Sequence, residues 1–182
     1  FLFAWKASKF ITHWKRLSEK SVNSLELMTS RLDVLGPKAG PVLFQLPERF
    51  KADRERLAKF LTLLPKRFKC AFEFRDPSWF EEPILEVLRE RNVALCVSDH
   101  IAAPTPWIAT ASYVYIRGHG PTGEYKDNYS NRALRSWAER ISKWKRCRLE
   151  VYCYFDNDQQ AAATRDARRL SGMVGVDRAL LT

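Results

Sequence analysis

Cys70-Ala-Phe-Glu-Phe-Arg-Asp-Pro-Ser-Trp-Phe80 is the stretch that decides the fold. It begins as a strand in which Phe72 and Phe74 alternate with Glu73 and Arg75. Strand side chains point to opposite faces with period two, so the two charged residues share one face. Asp76-Pro77-Ser78 stops the strand, because Pro77 has no N–H to donate and keeps the preceding residue extended. Trp79 and Phe80 close the turn, and a helical pattern follows. A charged pair at the carboxyl end of a strand that turns into a helix is where α/β folds place their chemistry.

Working back from this stretch, Asp53 caps a helix whose buried face is Leu57, Phe60, Leu61 and Leu64, ended by Pro65. Residues 40–47, Gly-Pro-Val-Leu-Phe-Gln-Leu-Pro, form a short strand bounded by prolines. Ser21 is placed to cap a helix with Leu25, Met28, Leu32 and Leu35 at helical spacing, stopped by Gly36-Pro37. Residues 1–5 read as a strand, and Thr12-His13-Trp14 as part of the loop beyond it. The strand-like start without Met reads as the middle of a longer protein.

Working forward, a helix near residues 81–91 turns Ile84, Leu85 and Leu88 inward, with Asn92 at its C-terminal end. Val93-Ala-Leu-Cys-Val97 is an apolar run suited to a strand buried on both faces. It exits through Ser98-Asp99-His100 into a loop holding Pro104 and Pro106. Tyr113-Val-Tyr-Ile-Arg117 is the next strand, and its exit is the glycine-rich loop 118–129. Ser130 caps a helix with Leu134, Trp137, Ala138, Ile141 and Trp144 inward. Residues 149–155 are the last strand, leaving through Asp156-Asn157-Asp158 into an alanine-rich helix over about 159–170, with a tail past Gly172 expected to fray.

Six strands, each followed by a helix or a helix-length segment, imply a parallel sheet with right-handed crossovers. Units of about 30 residues match an eightfold barrel, and six units fall two short of closure. Either the sheet is open and doubly wound, or it is a barrel without its first two strands, with exposed edges at the first and last strand. No G-x-G-x-x-G or phosphate-binding loop is present, which weighs against the nucleotide-binding open sheet.

The 182 residues suit one domain, and 46% hydrophobic with 29% charged residues is a globular balance. No apolar run approaches the roughly 20 residues of a membrane span, so a cytoplasmic protein with no membrane association is expected. The four cysteines form no C-x-x-C pair, and Cys70, Cys96 and Cys153 read as small buried hydrophobes. The formal charge of +10 admits nucleic acid as a partner. The basic residues are nevertheless spread over most helices. Their densest run, residues 140–148, reads as a solvated helix end.

Five motifs taken together resemble the YecE-like family, a catalogued domain of unknown function (number 72). They are residues 3–8 with Thr12-His13, residues 40–47, residues 72–79, Arg117-Gly-His-Gly120, and residues 152–158. The resemblance covers nearly the whole chain, in order. It implies a TIM-barrel-like (β/α) fold, here incomplete with about six parallel βα units and the first two strands missing. Residues 1–182 would then be a single partial barrel domain, the C-terminal three-quarters of the family's domain. The family's opening Gly-Thr-Ser-Gly-Trp-type strand and Glu-Asn-Thr-Phe-Tyr-rich second strand are absent. Gly118 stands where the family often has Leu, and His100 where it often has Ser. A loose relationship to sugar isomerases is also implied.

In a barrel the carboxyl ends of the strands form one mouth. There we expect Glu73, His119 and Asp99 as catalytic groups, and Lys6, Gln45, Arg75, Arg117, Asp156 and Asn157 as ligand-binding groups. The arginines would grip a carboxylate, phosphate or polyol by forked hydrogen bonds, with Glu73 as base and His119 as acid. The expected function is acid/base chemistry on a small polar or anionic ligand. The alternatives are a nucleic-acid-binding protein or a scaffold without catalysis, in which the charges are a buried ion network, Glu73 with Arg75 or Arg117, that fixes strand register. Lys6 is expected to be salt-bridged; a desolvated amine there would be able to form a Schiff base. His119, Asp99, Glu73 and Asp156 can be pictured around a divalent cation, but no local ligand spacing supports this. No metal is assigned, and the cofactor is left open.

Overall fold

The computed structural model describes residues 1–175. Its strands are β1 (Phe3–Lys6), β2 (Ala39–Gln45), β3 (Cys70–Glu73), β4 (Ala94–Ser98), β5 (Tyr113–Gly118) and β6 (Glu150–Phe155). Helices α1 (Val22–Asp33), α2 (Arg54–Thr62) and α3 (Glu82–Glu90) follow the first three strands, and α4 (Asn131–Arg146) and α5 (Ala162–Val174) follow the last two. Every neighbouring pair is parallel and the order is β1-β2-β3-β4-β5-β6, so each strand pairs with its sequence neighbours. That is the alternating pattern read from the sequence.

The sheet curls. Lys69, just before β3, donates through Nζ to Tyr152 Oη at 3.0 Å and pairs with Glu150, both on β6. Three strand spacings in a flat sheet would separate those strands by about 14 Å, beyond a lysine–carboxylate contact. Tyr113 of β5 likewise donates to the Cys70 carbonyl of β3 at 2.8 Å. The concave face carries Leu43, Ala71, Ala94, Cys96, Tyr113 and Tyr115, with Tyr152 and Tyr154 packed on it. Small residues on β3 and β4 leave room for the tyrosines of β5 and β6, which fill the lumen. The convex face packs Val42, Phe44, Phe72, Phe74 and Leu95 against the helices. Phe72 and Phe74 point outward and Glu73 inward, as period two requires.

Local sequence explains most boundaries. The Asp53 carboxylate accepts the Arg56 N–H at 2.9 Å and starts α2. The Ser130 hydroxyl does the same for Ala133 at 3.1 Å and starts α4. Gly36, with φ +52°, ends the first helical segment, and Asn92, with φ +51°, ends the third. No helix fills the space between β4 and β5; the proline loop does so, with Trp107 stacked on Trp144 and edge-on to Trp137 of α4.

Three expectations are corrected. Ser21 stands at the start of α1, but its buried hydroxyl makes no capping bond, because a 3-10 turn over Glu19–Ser21 runs into the helix. Phe10–Trp14 is a π-helical turn rather than loop, and it buries Ile11 and Thr12. The last helix starts at Ala162 and continues through Val174, past Gly172; residues 176–182, where the frayed tail was expected, lie outside the described residues. Cys70 and Cys96 are buried, Cys153 is half-buried, and all four cysteines are free. Among the described residues no helix is long and apolar enough to cross a membrane.

Candidate functional site

The C-terminal ends of the strands converge on one ion cluster. Gln45 pairs in register with Glu73, Leu43 with both Lys6 and Ala71, and Ser98 with Arg117. In-register residues of a parallel sheet share a face, so Lys6, Gln45, Glu73, Ser98 and Arg117 all stand on the concave side. Two-residue alternation carries Arg75 and His119 to the same side beyond the ends of β3 and β5.

Glu73 is wholly buried and sits at the centre. Its Oε1 accepts from Arg75 Nε at 2.6 Å, and its Oε2 accepts from Arg117 Nη1 at 2.5 Å. Burial alone would push the carboxyl up, but the Arg117 and Arg75 guanidiniums outweigh it and hold Glu73 below its ordinary range. Arg117 also donates through Nη2 to Asp156 Oδ2. Burial works against its charge, yet Glu73 and Asp156 raise the guanidinium further.

His119 is wholly buried beside this core. Its Nδ1 lies 3.3 Å from both Ser98 Oγ and Asp99 Oδ1. Its Nε2 lies 3.4 Å from Arg75 Nη2, and 3.7 Å from both Glu73 Oε1 and Asp156 Oδ2. Arg75 can only donate, so the neutral ring that fits carries its proton on Nδ1, toward Asp99. The rings of Tyr125 and His100 stand edge-on to it, with centroids at 4.9 and 5.2 Å.

The glycine-rich loop folds back to hold this arrangement. Asp99 Oδ1 accepts the His119 N–H at 2.7 Å. Tyr129 Oη donates to Asp99 Oδ2 and accepts the Gly120 N–H at 2.8 Å. Gly120 has φ +96°, and a Cβ there would meet the Lys126 carbonyl at 2.1 Å, so this turn admits only glycine. Tyr129 is pinned in turn by Asp166 of α5, a wholly buried carboxylate that accepts its N–H at 3.0 Å.

The structure therefore brings together Glu73, Arg75, Asp99, Arg117, His119 and Asp156, with half-buried Gln45 and exposed Lys6 on the same concave face. Asn157 is placed elsewhere. It follows Asp156 directly, so alternation turns it to the convex side, where Nδ2 donates to Asp166 Oδ2 at 2.9 Å and to the Asp127 carbonyl at 2.6 Å. The forked grip expected of the arginines is taken up inside the protein: Arg117 spends Nη1 on Glu73 and Nη2 on Asp156. Both Glu73 oxygens are occupied, so this carboxylate orients the guanidiniums.

Spare capacity lies with two other groups. Asp156 Oδ1 is buried without a hydrogen-bond partner among the described residues. Burial raises the Asp156 carboxyl despite the pull of Arg117. Lys6, expected in a salt bridge, makes none among the described residues. Its amine is lowered by desolvation first, then by the Arg117 charge, against a partial offset from Glu73. Sequence reasoning missed Ser98, His100, Tyr125, Tyr129 and Asp166 as parts of the site. For the first four the signal was position, at a strand exit or in the loop already marked by its glycines; Asp166, inside α5, gave none. Among the described residues no group of three or more His, Cys, Asp or Glu side chains is arranged to hold a metal ion.

The family description "Protein of unknown function DUF72" matches residues 1–181. The chain belongs to the DUF72 family. The resemblance read in the sequence pointed to the C-terminal three-quarters of that domain; the DUF72 match itself extends over practically the entire chain. A DUF72 protein from Thermotoga maritima has a solved structure with TM-score 0.84 and 27% identity, covering 96% of this chain and 74% of its own. Two structures of a DUF72 protein from Enterococcus faecalis V583 share the fold, with TM-scores of 0.81 and 0.79 at 17% and 21% identity. They cover 97% of this chain and 75% and 79% of theirs. No curated protein gives a significant match.

Proposed function

We propose that this DUF72 chain binds a small polar or anionic ligand, sugar-, carboxylate- or phosphate-like, at the C-terminal rim and acts on it by acid/base chemistry. One observation carries the reading. A wholly buried His119 has one ring nitrogen at Asp99 and the other at 3.7 Å from two carboxylates, one of which keeps an oxygen unpartnered among the described residues. A network built only to fix strand register would satisfy its buried atoms, since each one left unmade costs about 1–3 kcal/mol. His119 and Asp156 then exchange the proton, Asp99 sets the imidazole tautomer, and Glu73 fixes the arginines. Asp99 and Asp156 keep 29% and 22% of their side chains exposed, which leaves the site reachable from solvent.

The test is a metabolite-pool thermal-shift screen followed by calorimetry on the hits, since a ligand that binds only the folded state raises its melting temperature. The expected result is a rim ligand whose affinity falls at least tenfold in both Glu73→Gln and Arg117→Ala. Unchanged affinity in both folded variants would overturn the reading.

A second reading, nucleic-acid binding, draws on the +10 charge and on the Arg140 guanidinium lying over Trp107 at 4.9 Å beside Trp144. Phosphate-driven binding would weaken steeply between low and moderate salt. Binding that is absent or independent of salt removes this reading.

A further inference from the structure

We propose, resting on the rim reading above, that the ligand class is a small aldehyde or ketone and that Lys6 condenses with its carbonyl to form an imine. Lys6 ends β1 on the concave face, in register with Leu43, among the same charges that surround His119. The neighbouring cations are committed: Arg75 to Glu73, and Arg117 to Glu73 and Asp156. Lys6 has no carboxylate within 4 Å and no side-chain hydrogen bond among the described residues, so its nitrogen stays available. A lysine beside other cations, with part of its solvation removed, is the setting in which an amine becomes a nucleophile at neutral pH. Arg117 and Arg75 supply those cations, and both act to lower the amine.

The Lys6 nitrogen lone pair adds to the carbonyl carbon as the C=O π pair moves to oxygen; nitrogen then loses one proton and oxygen gains one, giving a neutral carbinolamine. A further proton makes that hydroxyl leave as water while the nitrogen lone pair forms the C=N bond of a protonated imine, whose last N–H proton exchanges with the neutral imine. Asp156 fits the proton-carrying role: one oxygen is held by Arg117, the other is unpartnered among the described residues, and its carboxyl is raised by burial. An imine withdraws electrons from the adjacent carbon, which places the chemistry among carbonyl rearrangements and carbon–carbon bond cleavages.

The experiment is reductive trapping with glycolaldehyde and cyanoborohydride on the full chain at neutral pH, read by peptide mass spectrometry. Cyanoborohydride delivers hydride to the imine carbon and fixes the adduct as a secondary amine. Lys6, although exposed like Lys9 and Lys38, is expected to react about tenfold faster than either, because only Lys6 stands on the concave face beside the arginines. Lys6→Arg, which keeps the charge, is expected to lose the fast phase and melt at the wild-type temperature. Labelling of Lys6 no faster than that of Lys9, or a fast phase that survives Lys6→Arg, overturns the imine. If a rim ligand found by thermal shift still loses affinity in Glu73→Gln, the rim reading stands while the imine falls. If Lys6 traps the aldehyde quickly and Glu73→Gln leaves rim binding untouched, the imine stands and the acid/base reading falls.

Discussion

The two ends of the curled sheet use the same kinds of side chain in opposite ways. At the N-terminal end Lys69 pairs with Glu150, at 39% and 61% exposure, and Tyr152 completes the contact at 3.0 Å. Beside it lies a cavity of about 580 Å³ lined by Leu2, Asp33, Gly40 and Arg67 among others. At the C-terminal end Glu73 is fully buried between two guanidiniums, with His119 at its side. An exposed pair is worth about 0–1 kcal/mol, whereas buried ions carry several kcal/mol of desolvation each. The 580 Å³ cavity and the buried ion cluster therefore lie at different ends. The lower end is an exposed seam whose ions hold each other; the upper end retains a costly arrangement with an oxygen left over among the described residues, which is where a ligand has something to gain.

The sharpest break between the ends is predicted for stability. Glu73→Ala leaves two guanidiniums without their buried carboxylate and is expected to cost about 3–5 kcal/mol, measured by urea denaturation. Next comes acid. The His100 imidazole is lowered from 6.5 to about 4, by desolvation first and then by the Arg75 charge. A histidine depressed in the folded state stays neutral there while the unfolded chain takes up a proton, so stability falls as pH drops from 6.5 toward 4. Glu73 adds its own loss only below the ordinary carboxylate range, because its folded form stays ionised longer than its unfolded form. Thermal melts across pH 7 to 4 should show this slope in the wild type and a flatter one in His100→Phe. The smallest effect belongs to the lower end: Lys69→Met should change stability by about 1 kcal/mol or less in the same urea assay. A cost for Lys69→Met equal to that of Glu73→Ala would erase the distinction between the ends.

Much of the rim was legible in the chain because period two is a strict rule. It placed Glu73 with Arg75 on one face, which the structure turns inward. The same rule carried across Asp156-Asn157 sends the second residue outward; gathering both as rim residues ignored it. Glu73 with Arg75 or Arg117 was readable as an ion pair; that both arginines hold it at once was not, since the reach of Arg117 from β5 to β3 depends on curl. Nor was the freedom of Lys6, because a lysine among carboxylates reads as paired until the arginines are seen to have taken them. Tyr129 and Asp166 are 37 positions apart and meet only because α5 packs beneath the glycine-rich loop. The absence of a helix between β4 and β5 was readable, since Pro104 and Pro106 exclude one.

The most direct test of the account is to locate a bound ligand by NMR. His119 and His100 ring nitrogens and the Arg75 and Arg117 Nε–H groups report on the upper end, and Lys69 Nζ and the Tyr152 ring on the lower. A ligand found by thermal shift is expected to perturb the upper group and leave Lys69 and Tyr152 unmoved. Perturbation confined to Lys69 and Tyr152, with the two histidines unmoved, would contradict it.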